Sequence, residues 1–330
     1  MIAIIIPYYQ HKPGILRRAL ESIRNQDDMP PFHIYVVDDS SPLPVEAELV
    51  DLPTDFMQAI TVLHQSNAGP GAARNRALDA LAHDVSAVAF LDSDDAWGKD
   101  HLANLNAAFA AGAEFYFTDH QREDDAQRRF AQCGFAPDGA AINAHHPSCR
   151  WCDAGVAFRA VVRRSPVGTS TVAFRRERFG DLRFREAFRS AGEDTIFWLE
   201  LLSRAPRTVC NSDCEVAYGR GISIFNHRSW GDARSFRTSI DQMRLQLHLQ
   251  RNFPLDAAQR RESAAQCRRL DLTFCGNLLA CLKRRDWCAI RLGAAYLRQR
   301  PWALLRLPQV LWRAAVGHFR AIAPTSNEGG

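Results

Sequence analysis

Residues 87–95 read AVAFLDSDD, five apolar residues followed directly by three aspartates around one serine. The apolar run predicts a buried β-strand, with the aspartates at its exit. Carboxylates packed this closely repel one another unless a cation or a proton separates them. We therefore interpret residues 92–95, called the aspartate tetrad below, as a site for a divalent metal ion; a purely structural cluster is the alternative.

The segments on either side of the tetrad alternate strand and helix patterns. The predicted strands are 2–7, 32–37, 60–63, 85–91 and 114–118, and the predicted helices are 13–25, 72–81 and 99–111. This alternation indicates an α/β fold with a largely parallel sheet. Ligands bind beyond the carboxyl ends of the strands in such sheets. The polar groups at residues 8–9, 38–41 and 92–95 should therefore line one crevice.

The composition is that of a globular protein, since 46% of the 330 residues are hydrophobic and 24% are charged. The net charge is +4 and arginines concentrate in the second half, which predicts an anionic partner. The first residues have the pattern of a strand and not of a secretion signal, and no apolar run is long enough to cross a bilayer. Nine cysteines without an export signal are expected to be reduced thiols, which predicts a cytoplasmic protein.

The middle of the chain is less regular. Residues 121–150 are polar and predict a loop or flap beside the crevice. A strand at 168–174 and a short turn or helix at 175–179 follow. Glu193 and Asp194 precede an apolar helix at 195–202, where acidic residues are favoured by the helix dipole. Helix capping is therefore one explanation of these two acids.

Five short motifs follow one another along the chain. They are IIPYY at 5–9, VVDDSS at 36–41, NAG at 67–69 with ARN at 73–75, the tetrad, and GED at 192–194 with Trp198 after it. In this order they resemble glycosyltransferase family 2, and especially its members that build bacterial surface polysaccharides. The resemblance covers residues 1–225. It implies the GT-A fold, a mostly parallel mixed sheet flanked by helices, and inverting sugar transfer from a nucleotide diphosphate donor.

The resemblance also implies which residues bind the nucleotide. Pro7 and Tyr9 match residues that line the base pocket, and Asp39 matches the carboxylate that bonds a uracil imide. Arg74 matches a residue near the base and the phosphates. The complete nucleotide-binding set is Pro7, Tyr9, Asp38, Asp39, Asn67, Gly69, Arg74, Asp92 and Ser93. These matches predict a UDP-sugar donor.

The same resemblance implies which residues bind the metal ion and which residue acts as the catalytic base. Asp94 matches the direct ligand of Mn²⁺ or Mg²⁺, and Asp92 lies nearer the ribose or a metal-bound water. His227 is a third metal candidate, although the sequence around it departs from the family pattern and a plain loop fits equally. Asp194 matches the catalytic base of the Glu-Asp motif, with Glu193 beside it.

The reaction explains these residue types. Departure of a nucleotide diphosphate builds up negative charge, which a cation held by carboxylate oxygens stabilises. An acceptor hydroxyl becomes an effective nucleophile when a base removes its proton during the attack. A single displacement from the face opposite the diphosphate inverts the anomeric centre and requires no covalent enzyme intermediate.

Other interpretations stay open at this stage. A nucleotidyltransferase would share the sheet and the carboxylates but should carry a glycine-rich basic loop after the first strand, and a non-catalytic protein that binds nucleotide sugars is a third reading. Residues 38–39 and 67–71 could be simple turns. His145, His146, Cys149 and Cys152, joined by Cys210 and Cys214, have spacing compatible with a structural zinc site.

The sequence predicts a GT-A domain at 1–225, with a nucleotide-binding half at 1–120 and an acceptor half at 121–225, and a basic helical region at 226–330. Tryptophans and arginines alternate between 287 and 319, broken at Pro301 and Pro308. This pattern favours binding to an anionic membrane surface from the cytoplasmic side, or packing on the catalytic domain or a second copy. A glycan or polyprenyl-linked saccharide is the expected acceptor, and no nucleic-acid partner is expected.

Overall fold

The computed structural model describes residues 1–219 and 233–315. Within these residues the chain divides into two compact units. The sheet unit comprises Met1–Arg189 and residues 193–219, and the helical unit comprises Ser190–Gly192 and residues 233–315. Each unit has its own cluster of buried apolar side chains.

One mixed sheet of nine strands organises the sheet unit. The strands are β1 Ile2–Tyr8, β2 Phe32–Asp38, β3 Ile60–His64, β4 Ala87–Phe90, β5 Ala96–Trp97, β6 Phe115–Arg122, β7 Cys149–Cys152, β8 Val172–Arg175 and β9 Thr208–Tyr218. Their order is β3-β2-β1-β4-β8-β6-β9-β5, with β7 also paired to β9. Strands β1 to β4 are parallel, and β8 runs antiparallel to β4 and β6.

The central strands are buried on both faces. Successive residues of β1 and β4 are buried, which explains why their sequences are continuously apolar and do not alternate with polar residues. Helix α1, Ile15–Arg24, covers one face with Leu16, Ala19, Leu20 and Ile23. Those four side chains recur at helical spacing, as the sequence predicted.

The sheet unit contains eight further helices in its described part. They are α2 Val45–Leu49, α3 Thr54–Gln58, α4 Pro70–Asp79, α5 His101–Ala110, α6 Arg129–Cys133, α7 Ala154–Arg164, α8 Arg176–Phe179 and α9 Glu193–Arg204. Helix α4 has proline in its first turn, where the missing N–H costs no helical hydrogen bond. A short 3₁₀ helix, Thr169–Thr171, leads into β8.

A buried glutamate anchors β9. Glu215 accepts hydrogen bonds from Asn104 Nδ2 at 2.5 Å, from Tyr116 Oη at 2.7 Å and from Asn211 Nδ2 at 2.7 Å. The His101 ring packs against it as well, with Nδ1 at 2.9 Å. A buried carboxylate requires this number of partners, because it has lost its hydration. The network fixes the register of β9 close to the point where it reaches the tetrad.

Two sequence predictions need correction. The expected loop at 121–150 contains α6 and the start of β7, and a helix, α7, follows it. Cys210 and Cys214 lie inside β9 instead of flanking a strand. β7 and β9 pair with each other, and β9 also pairs with β6, so contacts between segments far apart in the sequence decide these strands.

The helical unit consists of α10 Ala233–Asn252, α11 Ala257–Arg284, α12 Trp287–Gln299 and α13 Leu307–Ala315, with a 3₁₀ helix at Pro301–Arg306. Pro301 ends the helical pattern as expected, whereas Pro308 lies in the first turn of α13, where proline is tolerated. Phe236, Phe274 and Tyr296 form the centre of its core, and the last two rings stack with centroids 4.2 Å apart. No helix within residues 1–219 and 233–315 is long and apolar enough to cross a membrane.

Candidate active site

The carboxyl ends of β1, β2 and β4 meet at one edge of the sheet, as the sequence predicted. Tyr8 and Asp38 are paired residues at the ends of β1 and β2, and β4 lies on the other side of β1. Gln10 donates from Nε2 to Ser93 Oγ at 3.0 Å. This buried hydrogen bond ties the segment after β1 to the tetrad after β4.

Asp39 holds the loop that precedes α4. Its Oδ1 accepts the backbone N–H of Ala68 at 2.7 Å and Gln65 Nε2 at 2.8 Å, and its Oδ2 accepts the backbone N–H of Gly69 at 2.8 Å. Asn67 donates from its side chain to the Asp39 carbonyl at 3.0 Å. The loop is therefore not a plain turn but is fixed to the end of β2 by one carboxylate.

Two residues from the predicted nucleotide set are committed to contacts within the chain. The Asp38 carboxylate accepts the backbone N–H of Ser41 at 2.7 Å and of Val45 at 3.2 Å, which caps the turn into α2. Ser93 is buried and its hydroxyl is occupied by Gln10. These contacts give both side chains a structural role, and their part in nucleotide binding stays a prediction.

Pro7 and Tyr9 lie at the predicted place with different surroundings. Pro7 is half-buried in β1 and pairs with Val37. Tyr9 is exposed, and its ring meets the His11 ring edge-on with centroids 5.5 Å apart. An exposed aromatic ring at the mouth of the crevice has an open face on which a planar base could stack.

The members of the tetrad divide into buried and accessible carboxylates. Asp95 is buried and accepts from Ser170 Oγ at 2.5 Å and from the backbone N–H of Gly219 at 3.0 Å. The backbone N–H of Asp92 donates to the same Ser170 hydroxyl at 2.9 Å. Asp92 and Asp94 are half-buried. Asp95 therefore braces the turn, whereas Asp92 and Asp94 keep partial exposure to solvent.

Arg74 connects the tetrad to the Glu-Asp motif. Its guanidinium is buried, with Nη2 2.6 Å from Asp92 Oδ1 and Nη1 3.9 Å from Glu193 Oε1. The guanidinium carbon lies 5.2 Å from the centroid of the Phe184 ring. Its Nε and Nη1 have no hydrogen-bond partner among the residues that the structure describes. A buried cation with spare donors is suited to an anionic ligand.

Burial and nearby negative charge raise the pKa values of the Glu-Asp pair. Burial, together with the charge of Asp194, raises the pKa of Glu193 to about 8, while Arg74 pulls it in the opposite direction. Burial also raises the pKa of Asp194, against the hydrogen bonds from the Thr195 N–H and hydroxyl to Asp194 Oδ1 at 2.6 and 3.3 Å. Raised carboxylate pKa values are typical of groups that exchange protons in catalysis.

Comparison with known proteins places the chain in a family. The sequence model of Glycosyl transferase family 2 matches residues 3–163. The succinoglycan biosynthesis protein ExoW of Rhizobium meliloti (strain 1021) is 32% identical over 239 residues, which are 68% of this chain and 70% of ExoW. The chain belongs to glycosyltransferase family 2. It is therefore a glycosyltransferase, and the resemblance drawn from its motifs is confirmed.

Solved structures confirm the GT-A fold of this family 2 glycosyltransferase. S. aureus TarS 1–349 in complex with UDP-GlcNAc aligns with a TM-score of 0.53 over 90% of this chain and 91% of TarS 1–349, at 17% identity. The mannosyltransferase PcManGT of Pyrobaculum calidifontis, in complex with GDP-Man and Mn²⁺, aligns with a TM-score of 0.52 over 96% of this chain and 86% of its own, at 17% identity. At these identities the likeness establishes the fold alone.

The accessible tetrad carboxylates of this family 2 glycosyltransferase fit a hard divalent cation. Mg²⁺ sites in proteins commonly use one or two carboxylates and complete their coordination with substrate phosphates and water. Asp94 and Asp92 supply that number, and one oxygen of Asp92 is already held by Arg74. No three His, Cys, Asp or Glu side chains gather into a ready-made metal site within residues 1–219 and 233–315. The residues thus fit an ion that shares its coordination with the donor.

Sequence reasoning missed three residues that build the site. Gln10 after β1, Ser170 in the 3₁₀ helix and Gly219 after β9 fix the tetrad, and none of them stands out in the sequence. Gly219 has a steric reason for being glycine. A Cβ on this residue would overlap the Asp94 carbonyl oxygen. The close backbone approach explains the glycine.

Two groups of candidates fall outside the crevice or outside the described residues. His227 lies in the segment 220–232, which the structure does not describe. Cys149, Cys152 and Cys210 are buried within the sheet, and His146 Nδ1 lies 2.7 Å from Asn104 Oδ1. Cys149 and Cys152 begin and end β7, which pairs with β9, and His146 contacts α5.

Proposed function

We propose that this glycosyltransferase moves a sugar from a nucleoside diphosphate donor to a hydroxyl of a saccharide acceptor, with inversion and with Mn²⁺ or Mg²⁺. The observation that carries the proposal is the bridge from Asp92 through Arg74 to Glu193. It brings the tetrad, the ARN motif and the Glu-Asp motif together around one buried guanidinium. Three motifs that are far apart in the sequence thus face one space.

Asp194 is the proposed base. Its Oδ1 is held by Thr195, so Oδ2 is the atom assigned to take the proton of the acceptor hydroxyl. The hydroxyl oxygen then bonds the anomeric carbon while the bond from that carbon to the diphosphate breaks on the opposite face. Glu193, with a pKa of about 8, keeps a proton at neutral pH, which limits the negative charge beside the base. Activity should fall on the acid side as Asp194 becomes protonated.

The donor end is assigned to the residues around the tetrad. When bound, the cation supplies positive charge that stabilises the departing diphosphate. Asp94 and Asp92 are the residues that would hold it. The Arg74 guanidinium is assigned to the phosphate oxygens, and the exposed ring of Tyr9 is assigned to the base.

Uridine is the proposed base. The resemblance matches Asp39 to the carboxylate that bonds a uracil imide, and its Oδ2, which among the described residues accepts only the Gly69 N–H, keeps a second acceptor position for the imide N–H. The UDP-GlcNAc complex of TarS supports this assignment, while PcManGT binds GDP-Man. A competition series with UDP, dTDP and GDP tests it. UDP and dTDP share the imide edge and should compete, whereas effective competition by GDP alone would overturn the assignment.

A surface polysaccharide is the proposed product class, because ExoW acts in succinoglycan biosynthesis. The acceptor is accordingly a glycan or a polyprenyl-linked saccharide, and the enzyme would work on the cytoplasmic side of a membrane. Family membership sets aside the nucleotidyltransferase and non-catalytic alternatives.

The test is a screen of nucleotide sugars with Mn²⁺ for donor hydrolysis and thermal stabilisation, repeated with two variants. Asp94→Ala should lose the metal-dependent stabilisation. Asp194→Asn should retain it and lose transfer by two or more orders of magnitude, as expected for loss of a general base. A wild-type protein that no nucleotide sugar stabilises with metal would overturn the proposal, and so would an Asp194→Asn variant of normal activity.

A further inference from the structure

The helical unit exposes a concentration of large apolar side chains. Ten large apolar side chains are exposed in the described residues, and seven of them lie between residues 282 and 312. The seven are Leu282, Trp287, Trp302, Leu304, Leu305, Leu311 and Trp312, called the tryptophan surface below. Exposure of 63% to 70% for three tryptophans is costly in water and indicates a partner.

The segment that carries Trp302 and Trp312 also packs against the core of the helical unit. Ala303 and Val310 are buried in the helical core, and Cys275 Sγ of α11 lies 3.2 Å from the Ala303 carbonyl. Side chains three residues apart eclipse in a 3₁₀ helix, so Trp302 and Leu305 lie on the same side of it. The exposed apolar side chains therefore belong to a segment whose other side is packed in the helical core.

Leu282, near the end of α11, extends the tryptophan surface. Leu282 follows Cys275 by seven residues, which is two helical turns or about 10 Å along the same face. That face carries the 3₁₀ helix with Trp302. Trp287 begins the next helix at this corner. By contrast, Tyr296 and Gly293 of α12 are buried, so much of the predicted amphipathic stretch packs inside its own unit.

The charge around the tryptophan surface has one sign. Residues 282–312 contain six arginines and one lysine against a single aspartate. Asp286 is used as the N-cap of α12, where it accepts the Ala289 N–H at 3.0 Å. Lys283, Arg284, Arg285, Arg291 and Arg298 are exposed. Arg300 is the exception, since its charge is paired with Asp271 at 2.8 Å.

We propose that the tryptophan surface docks on an anionic phospholipid membrane. Indole rings favour the boundary between headgroups and acyl chains, and lysine and arginine beside them attract anionic headgroups. An apolar protein partner or a second copy would satisfy the tryptophans without using the positive charge. The docking rests on the helical unit alone and does not depend on the proposed function.

Vesicle flotation of the full-length protein tests the docking. Vesicles of phosphatidylcholine with and without phosphatidylglycerol are compared at low and high salt. The wild type should float with the anionic vesicles at low salt, and less at high salt because surface charges are screened. The double variant Trp302→Gln/Trp312→Gln should reduce the bound fraction by about tenfold or more.

Matched variants separate the contribution of the tryptophan surface from the general effect of removing exposed apolar side chains. Met29→Gln/Val50→Gln removes two exposed apolar side chains of the sheet unit and should leave flotation unchanged. Arg284→Gln/Arg285→Gln should abolish the preference for phosphatidylglycerol. Equal binding to neutral vesicles, or wild-type flotation of the tryptophan variant, would overturn the proposal. A dimer in light scattering that the tryptophan variant converts to a monomer would identify a second copy as the occupant and overturn it as well.

Catalysis is followed in the same variants with donor hydrolysis in solution. Loss of flotation with normal donor hydrolysis supports the docking and leaves the proposed function intact. An enzyme that floats normally but acts on no nucleotide sugar would sink the proposed function while this inference stands.

Discussion

Arg74 is buried with carboxylates on two sides, and its position explains why arginine and not lysine occurs there. One nitrogen of the guanidinium bonds Asp92, and a second faces Glu193. The flat cation also lies over the Phe184 ring. Only a planar, forked group can meet these three partners together. Its removal would leave the partly buried Asp92 carboxylate without its charge partner.

We predict that Arg74→Ala lowers the free energy of unfolding by about 3–5 kcal/mol, as expected when one partner of a buried ion pair is lost. Arg74→Lys should cost less, because the charge remains. Urea unfolding measures both. Arg183→Ala is the control, since its pair with Asp79 is solvent-exposed and should contribute about 0–1 kcal/mol. Equal losses of unfolding free energy in Arg74→Ala and Arg183→Ala would contradict a buried ion pair between Arg74 and Asp92.

Glu193 should make stability depend on pH. Its folded pKa of about 8 exceeds the unfolded value of 4.5, so the folded state binds the proton more tightly. This contribution to stability is complete below pH 4.5 and is lost as pH rises toward 8. The Glu193→Gln variant has no carboxyl group here, so it does not lose this stability as the pH rises. Its free energy of unfolding, relative to that of the wild type, should therefore increase steadily from pH 5 to pH 8.

Thermal melts of both proteins across this range provide the measurement. Glu177→Gln, which changes an exposed glutamate, is the control and should show no such trend. A difference between Glu193→Gln and wild type that stays constant with pH would show that Glu193 is ionised throughout.

At the scale of elements, the junction between β9 and the tetrad governs the site. Glu215 fixes β9 in place. The strand ends at Tyr218, two residues after the buried Val216, and Gly219 follows it. The Gly219 N–H bonds Asp95, and the backbones of Gly219 and Asp94 are in contact. Asp95, to which the motif assigns no role, thus joins the 3₁₀ helix Thr169–Thr171 to the residue that follows β9.

We predict that Gly219→Ala displaces the tetrad, because its Cβ would overlap the Asp94 carbonyl oxygen. Transfer should fall by about 10²-fold, the scale expected for a misplacement of about 1 Å. Steady-state kinetics measures the effect. Gly98→Ala is the matched control beside the same strand, since its Cβ would lie at an ordinary 3.5 Å from the Glu215 carbonyl oxygen. If both variants keep full activity, the junction does not position the metal carboxylates.

At the scale of the whole molecule, nine cysteines are distributed over both units as free thiols. Only Cys288 is exposed, and six of the others are fully buried. Burial raises the pKa of the Cys149 thiol to about 12 and that of Cys275 to about 11, which lowers their thiolate fraction further. Native packing in both units should therefore protect most thiols from reaction.

We predict that one thiol reacts fast with a disulfide reagent in the native protein, and that Cys288→Ser removes this fast phase. Unfolding in urea should release all nine thiols in the wild type. Spectrophotometric thiol counting provides the measurement. Two or more fast thiols in native Cys288→Ser would mean that one of the cores is more open than described.

Much of the sheet unit could be predicted because its signals are local. β1, β2 and β4 are continuous apolar runs, and the polar residues directly after them had to meet where parallel strands end. The family motifs added the metal and base assignments. Short elements such as α6 and β7 could not be predicted, because their sequences acquire a conformation through contacts with distant parts of the chain.

The sequence by itself determined the α/β order, the family and the crevice edge, because hydrophobic periods and motif residues act over a few neighbouring positions. Only the tertiary structure decided which carboxylate does what. Asp38, Asp39 and Asp95 hold backbone in place, while Asp92 meets Arg74. Aspartates look alike in a sequence, and their function is set by hydrogen-bond partners and burial that come from segments far away in the chain.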